Sequence, residues 1–212
     1  MGADWDLRRA ELSDGSFFLF RLCYLSPPLA SEGIFDAGGI DAPEGFELSQ
    51  SEEEGIRFAS DCFGAEKAAL QLIARAEQNA FGLRRKLEKR GHGSACAGAV
   101  TARLCELGLL DDCRYARLWL ESRVGRQASS PSRLRAALRA KGIDKEDAES
   151  ALREALDDEA ELRLLERFAR KWQRKRGAKG GEEDADDFRR SLKYLLKSEG
   201  FSYAAIEGFF GD

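Results

Sequence analysis

The chain has 212 residues, 43% hydrophobic and 34% charged, with 34 Lys+Arg against 38 Asp+Glu and a formal charge of −4. No apolar run approaches the length of a membrane span, and the N-terminus carries Asp4 and Asp6 without an h-region, so neither a membrane protein nor a secretory signal is expected. Five cysteines without close pairs suit reduced thiols in a cytoplasm rather than a disulfide framework. The charge is strongly blocked: −9 over 1–64, +9 over 65–142, −6 over 143–160, +6 over 161–180 and −4 over 181–212.

In chain order, Leu7–Leu12 and Phe17–Tyr24 read as strands around the Asp14-Gly15 hairpin signal. Phe17, Phe18 and Phe20 are too many aromatics for solvent, so the hairpin must pack on something. Pro27-Pro28 ends it, and Gly33 to Gly45 reads as loop. Ser49-x-x-Glu52 is a capping box for a short helix to about Ser60. Gly64 predicts a break before a first long helix, Ala65–Glu77, with Ala69, Leu72, Ile73 and Ala76 on its apolar face.

Three segments then share one layout: Leu83-x3-Leu87-x3-Gly91, Leu134-x3-Leu138-x3-Gly142 and Leu192-x3-Leu196-x3-Gly200. Each follows a longer helix (Ala65–Glu77, Asp111 to about Val124, Asp158 to about Arg176) and precedes a further apolar position (Val100, Ala151, Phe209). The unit is long helix, short helix, short helix, made three times. Leu104 and Leu107 close the last helix of the first unit, Gly108 is its left-handed end, and Leu109-Leu110 form an apolar plug. Asp111 is placed to N-cap the next helix, with Asp112 in its first turn. Ser130 caps the following helix with Pro131 at N1. Leu165, Phe168, Ala169 and Trp172 form the apolar face of the third long helix, and Gly177 to Asp187 is a charged connection.

The predicted fold is therefore mainly α: three tandem three-helix repeats in an elongated array behind a small N-terminal β-hairpin appendage. The expected boundaries are 1–48 for hairpin and loop, 49–64 for a short helix and linker, and 65–108, 109–157 and 158–212 for the repeats.

Catalytic residues are not evident. The only histidine, His92, lies between Gly91 and Gly93, and no nucleophile elbow, phosphate loop or paired-glycine fingerprint occurs. Helix capping accounts for Asp111 and Asp112. His92, Cys96, Cys105 and Cys113 have spacings that match no ordinary zinc knuckle, so neither metal nor cofactor is expected.

The basic residues carry the functional signal. Arg85, Lys86, Lys89 and Arg90 decorate the first short helix; Arg114, Arg117, Arg123 and Arg126 follow on the next long helix and its exit. Arg133, Arg135, Arg139 and Lys141 lie on the second short helix, and Arg163, Arg167, Arg170 and Arg174 stripe the third long one. Like charges one turn apart repel, so a polyanion or an acidic surface is the expected partner. Arg135 and Arg139 point away from Leu134 and Leu138 and are expected to be dispensable for folding. Tyr115, Trp119 and Trp172 read as core positions, so no aromatic platform for bases is evident.

The run Gly-Leu-Leu-Asp-Asp-x-x-Tyr-Ala (Gly108–Ala116), with Leu83-Arg-Arg-Lys-Leu87 and Leu134-Arg-Ala-Ala-Leu-Arg-Ala-Lys-Gly-Ile143, resembles the RecX family of bacterial regulatory proteins. The likeness covers roughly Ser49 to Phe210. It departs at Gln78-Asn79, where the family has Arg-Ser, at Gly82, where it has Glu, and at Ala128-Ser129-Ser130-Pro131, where it has a glycine-rich turn. The resemblance implies a cytoplasmic, non-enzymatic monomer that binds RecA in the groove of its filament on single-stranded DNA. It further implies damping of strand exchange, ATP hydrolysis and LexA cleavage. A second reading is a helical protein that binds DNA directly, without RecA.

Overall fold

A computed structural model describes residues 6–25, 47–124, 126–177 and 185–211. Pro27-Pro28, the Gly33–Gly45 loop and positions 178–184 of the predicted connection lie outside the described residues. Strands β1 (Leu7–Glu11) and β2 (Phe17–Arg21) pair antiparallel with Leu7 opposite Arg21 and Glu11 opposite Phe17. Gly15 takes φ +82°, and the Asp14 carboxylate accepts the Ser16 N–H at 2.8 Å. β2 is shorter than predicted, because Leu22–Tyr24 turn into a 3₁₀ helix closed by Leu25 N–H to the Leu22 carbonyl.

The helices are α1 (Gln50–Arg75), α2 (Ala80–Lys89), α3 (Ser94–Glu106), α4 (Asp112–Val124), α5 (Pro131–Ala140), α6 (Lys145–Ala155), α7 (Asp158–Gly177), α8 (Ala185–Ser198) and α9 (Tyr203–Phe210). The order long, short, short recurs as predicted. The expected break at Gly64 does not occur: the 49–64 helix and the first long helix are one element of 26 residues. Ile56, Ala59, Cys62, Phe63, Glu66 and Ala69 are buried at helical spacing straight across Gly64. That burial outweighs the roughly 1 kcal/mol a mid-helix glycine costs. The helix also ends earlier than predicted, so Ala76 is an exposed, extended C-cap rather than a face residue.

Local chemistry sets the helix ends. Ser49 and Glu52 form the full capping box; the Asp111 carboxylate accepts the Arg114 N–H at 2.8 Å; Ser130 caps α5 with Pro131 behind it. Asp144, Asp157 and Ser202 do the same for α6, α7 and α9. The leucine–leucine–glycine pattern has one physical cause. The carbonyls of Leu87, Leu138 and Leu196 each accept the N–H five residues on, from His92, Ile143 and Phe201, at 3.2 Å. The glycine between must have positive φ, and Gly91, Gly142 and Gly200 have +92°, +83° and +83°. Val100-x3-Leu104-x3-Gly108 is a fourth copy, with Leu109 N–H on the Leu104 carbonyl at 2.9 Å.

The chain divides into two compact units, Met1–Leu110 and Asp111–Asp212. In the first, Phe20 is fully buried with Ile56, Leu83, Leu87, Val100 and Leu104, so the hairpin covers part of the core of α1–α3. Phe18 packs at its edge, while Phe17 stays 54% exposed under the Arg9 guanidinium. Of the predicted plug only Leu110 is buried; Leu109 and Leu107 are exposed, since the turn at Gly108 swings them outward. The second unit gathers Leu120, Leu134, Leu138, Leu164, Leu165, Leu192, Leu196 and Ile206 into one core, with Phe168 against Phe201 at 5.5 Å. No described helix is long and apolar enough to cross a membrane.

Candidate partner-binding surface

The sixteen basic residues fall into three groups by what they touch. Eleven of them have a partner within their own unit, and one of these, Arg135, forms a group by itself. Arg117 meets Glu154 at 3.2 Å, Arg163 meets Glu159 at 2.5 Å and Arg170 meets Glu166 at 2.9 Å. Looser pairs join Arg114 to Asp111 at 3.9 Å and Arg133 to Glu199 at 3.7 Å. Arg167 donates to the Val124 carbonyl at 2.5 Å, which satisfies the C-terminal end of α4. Arg85 lies over Phe81, and Arg123 and Lys141 lie over aromatic rings. The stripe on α7 is thus less bare than its sequence implies, because glutamates one turn earlier answer two of its arginines.

Lys86 donates to Gln78 Oε1 at 2.6 Å, and Gln78 Nε2 donates to the carbonyls of Ala76 (2.9 Å) and Leu72 (3.3 Å). This explains one departure from the family pattern. Gln78, buried at that point, closes the C-terminus of α1 and anchors a lysine of α2 to it. At Gly82 a Cβ would come within 2.5 Å of Asn79 Oδ1, so a glutamate there would displace the Asn79 side chain.

Arg135 is the second group and a correction. It does point away from the leucines, but both its Nε and its Nη2 donate to the Glu149 carboxylate, joining α5 to α6. That hydrogen-bonded pairing holds the Glu149 carboxyl below its ordinary range. A lowered folded-state value means the pair stabilises above the ordinary carboxylate range and is lost as pH falls through the folded value. Arg135→Glu is therefore expected to lower the melting temperature, by setting two carboxylates against each other. Arg139→Glu should change stability by less than about 0.5 kcal/mol. The gap between wild type and Glu149→Gln should be present near pH 7 and close as melts are taken to pH values below the ordinary carboxylate range. Equal melts of the two arginine variants at neutral pH would refute the assignment.

The third group is Lys89, Arg90, Arg126, Arg139 and Arg174, all exposed and, among the described residues, without a carboxylate partner.

Two places bring sequence candidates together. Arg163 and Arg167 line an open cleft of about 450 Å³ with Val124, Ala160 and Glu166. Arg123 and Lys141 converge on Trp119, 4.9 Å and 5.5 Å from its ring, and Lys141 is also 5.8 Å from the Tyr115 ring. Tyr115, Trp119 and Trp172 pack against the core as expected but are only partly buried.

Sequence reasoning missed a buried charge network in the first unit. Arg21 pairs with Asp6 at 2.6 Å and Glu66 at 3.0 Å, and Arg103 pairs with the same two acids at 3.2 and 3.8 Å. The Tyr24 hydroxyl donates to Glu66 at 2.8 Å. Asp6 and Glu66 are 2% and 4% exposed, so the hairpin is tied to α1 and α3 by charges out of water. Burial, followed by the Glu66 contact, drives the Tyr24 pKa upward. Near it, Cys23 is exposed at the surface. Cys62 and Cys96 are buried, and no group of three or more His, Cys, Asp or Glu that could hold a metal occurs among the described residues.

Residues 111–152 match the model for the second three-helix domain of RecX. Regulatory protein RecX of Treponema pallidum (strain Nichols) is 38% identical over 120 residues, which is 55% of this chain and 73% of that one. RecX of Amycolatopsis mediterranei is 32% identical over 147 residues, 68% of this chain and 81% of its own. A crystal structure of a RecX regulatory protein shares the fold with TM-score 0.63 at 21% identity, over 79% of this chain and 80% of that chain. RecX from Lactobacillus salivarius does so with TM-score 0.55 at 22% identity, over 72% and 96%. At 38% and 32% identity over 73% and 81% of the length of these relatives, the chain belongs to the RecX family of regulatory proteins.

Proposed function

We propose that this chain binds RecA and its filament on single-stranded DNA and inhibits the recombinase, ATPase and coprotease activities, damping recombinational repair and the SOS response. The observation that carries this reading is the third group of basic residues. Lys89 and Arg90 follow the first leucine pair, Arg126 and Arg139 flank the second, and Arg174 lies on α7. Cations left without carboxylates on successive repeats suit a partner that presents acidic groups or phosphates along its length rather than in one pocket. The reading takes the repeats as 65–108, 109–157 and 158–212, acting as a cytoplasmic monomer by non-covalent contact alone.

The test is titration of the protein into RecA on single-stranded DNA while ATP hydrolysis is followed. Inhibition is expected at stoichiometric protein. The triple variant Arg90→Glu, Arg139→Glu, Arg174→Glu should melt normally. It should inhibit about tenfold less well, equivalent to roughly 0.5 kcal/mol per reversed contact. Unchanged hydrolysis with the wild-type protein would refute the reading.

A further inference from the structure

We propose that Arg167 and Glu199 are positioning residues of the partner-binding surface: from α7 and the end of α8 they hold the corner between α4 and α5 (residues 126–130), and with it Arg126, in one conformation. The purpose of this hold rests on the RecA reading; the hold itself does not. Helix α4 ends at Val124 and α5 begins at Pro131, so one helix must stop and the next start within a short stretch. Inside the corner, the N–H groups of Arg126 and Gln127 share the Arg123 carbonyl at 3.1 and 2.9 Å, and the Ser129 N–H donates to the Gln127 carbonyl at 3.0 Å. Arg126 is exposed and, among the described residues, meets no carboxylate.

Both ends of the corner are met by a side chain of the charge that the helix end calls for. The last carbonyls of a helix carry partial negative charge and its first N–H groups partial positive charge. At the end of α4, Arg167 of α7 donates through Nη2 to the Val124 carbonyl at 2.5 Å. At the start of α5, the Glu199 carboxylate accepts from the hydroxyl of Ser130, the fully buried N-cap, and lies 3.7 Å from Arg133 Nη2. The Glu199 carbonyl accepts the Ser132 N–H at 3.1 Å. The approach is close: a Cβ at Gly200 would fall 2.7 Å from Ser132 Oγ. Helices α1, α4, α6 and α7 start on Ser49, Asp111, Asp144 and Asp157, caps from the adjoining residue. At α5 the cap is itself held by a residue 69 positions on. A cation fixed before contact loses less freedom on binding, so the hold serves whatever Arg126 meets.

Amide hydrogen exchange of the full-length protein, followed by NMR, tests the corner without RecA. Glu199→Ala and Arg167→Ala should each speed exchange of the Gln127, Ser129 and Ser132 amides by about fivefold or more, the effect of losing one cap. Asp144→Ala removes a cap from α6 in the same unit and should leave those three amides within about twofold of wild type. Glu199→Gln keeps an oxygen for Ser130 and Arg167→Lys keeps the cation, so both should fall between; they carry the test if the alanine variants fold poorly. Inhibition of RecA ATP hydrolysis on single-stranded DNA then reads Arg126. Glu199→Ala should weaken inhibition about threefold in the wild-type and Arg174→Gln backgrounds, and less than about 1.5-fold once Arg126→Gln is present. Corner amides that answer equally to Asp144→Ala, or that ignore the Arg167 and Glu199 variants, would overturn the hold. Equal losses in the Arg126→Gln and Arg174→Gln backgrounds would overturn the positioning of Arg126. Unchanged hydrolysis with the wild-type protein would sink the RecA reading alone, since a local exchange response would still support the hold.

Discussion

Glu66→Ala is expected to destabilise the first unit by about 3–5 kcal/mol, the cost of removing one partner from a buried ionic network. Glu66 takes charge-assisted hydrogen bonds from Arg21 and Tyr24, and Arg103 lies 3.8 Å away. Without it, Arg21 and Arg103 lose one of their carboxylates, and the buried Tyr24 hydroxyl loses its acceptor. Arg103 Nε is already buried without a hydrogen bond, so the network has no spare acceptor to offer. Glu66→Gln keeps an oxygen for Tyr24 and should lose less. Urea denaturation followed by circular dichroism would measure both variants. A loss below about 1 kcal/mol for Glu66→Ala would mean that water enters and solvates the arginines.

Leu138→Ala should cost about 2–5 kcal/mol. The side chain is fully buried in the second core with Leu134, Leu152 and Leu192, and truncation removes apolar contacts on every side. The adjacent Arg139→Glu is the internal control, because it changes charge at the next residue without touching the core. Thermal melts of the pair should therefore separate widely, whereas RecA assays should reverse the order once each protein is measured below its transition. A mild Leu138→Ala phenotype would mean that α5 can slide to fill the cavity.

What the sequence made legible was short-range. The Ser49 box, the Asp111 and Ser130 caps and the left-handed glycines are each settled within about five residues, and all appear where their residue types put them. The paired leucines were legible for the same reason, since a buried helix face repeats at the helical period. Gly64 misled because local propensity argued for a break while Ile56 and Ala69, a helix-length apart, argued together for continuity. Arg135 misled differently: facing away from Leu134 and Leu138 says nothing about Glu149, fourteen residues on in the next helix. The network of Asp6, Arg21, Glu66 and Arg103 joins residues up to 97 positions apart, and no local pattern announces it. At Trp119, helical spacing located the ring beside the core but not the two cations that meet over it.

The hairpin also sets an order of events during synthesis. Phe18 and Phe20 leave the ribosome before the helix they pack against, which begins at Gln50, and the hairpin's ionic anchor Arg103 lies further still. At about 5–20 residues per second, Asp6 waits roughly 5–20 seconds for an arginine 97 positions downstream. Through that interval a two-stranded ribbon, marginal in water by itself, carries uncovered aromatic rings. Nascent-chain handling, rather than the finished fold, is where this hairpin is most vulnerable.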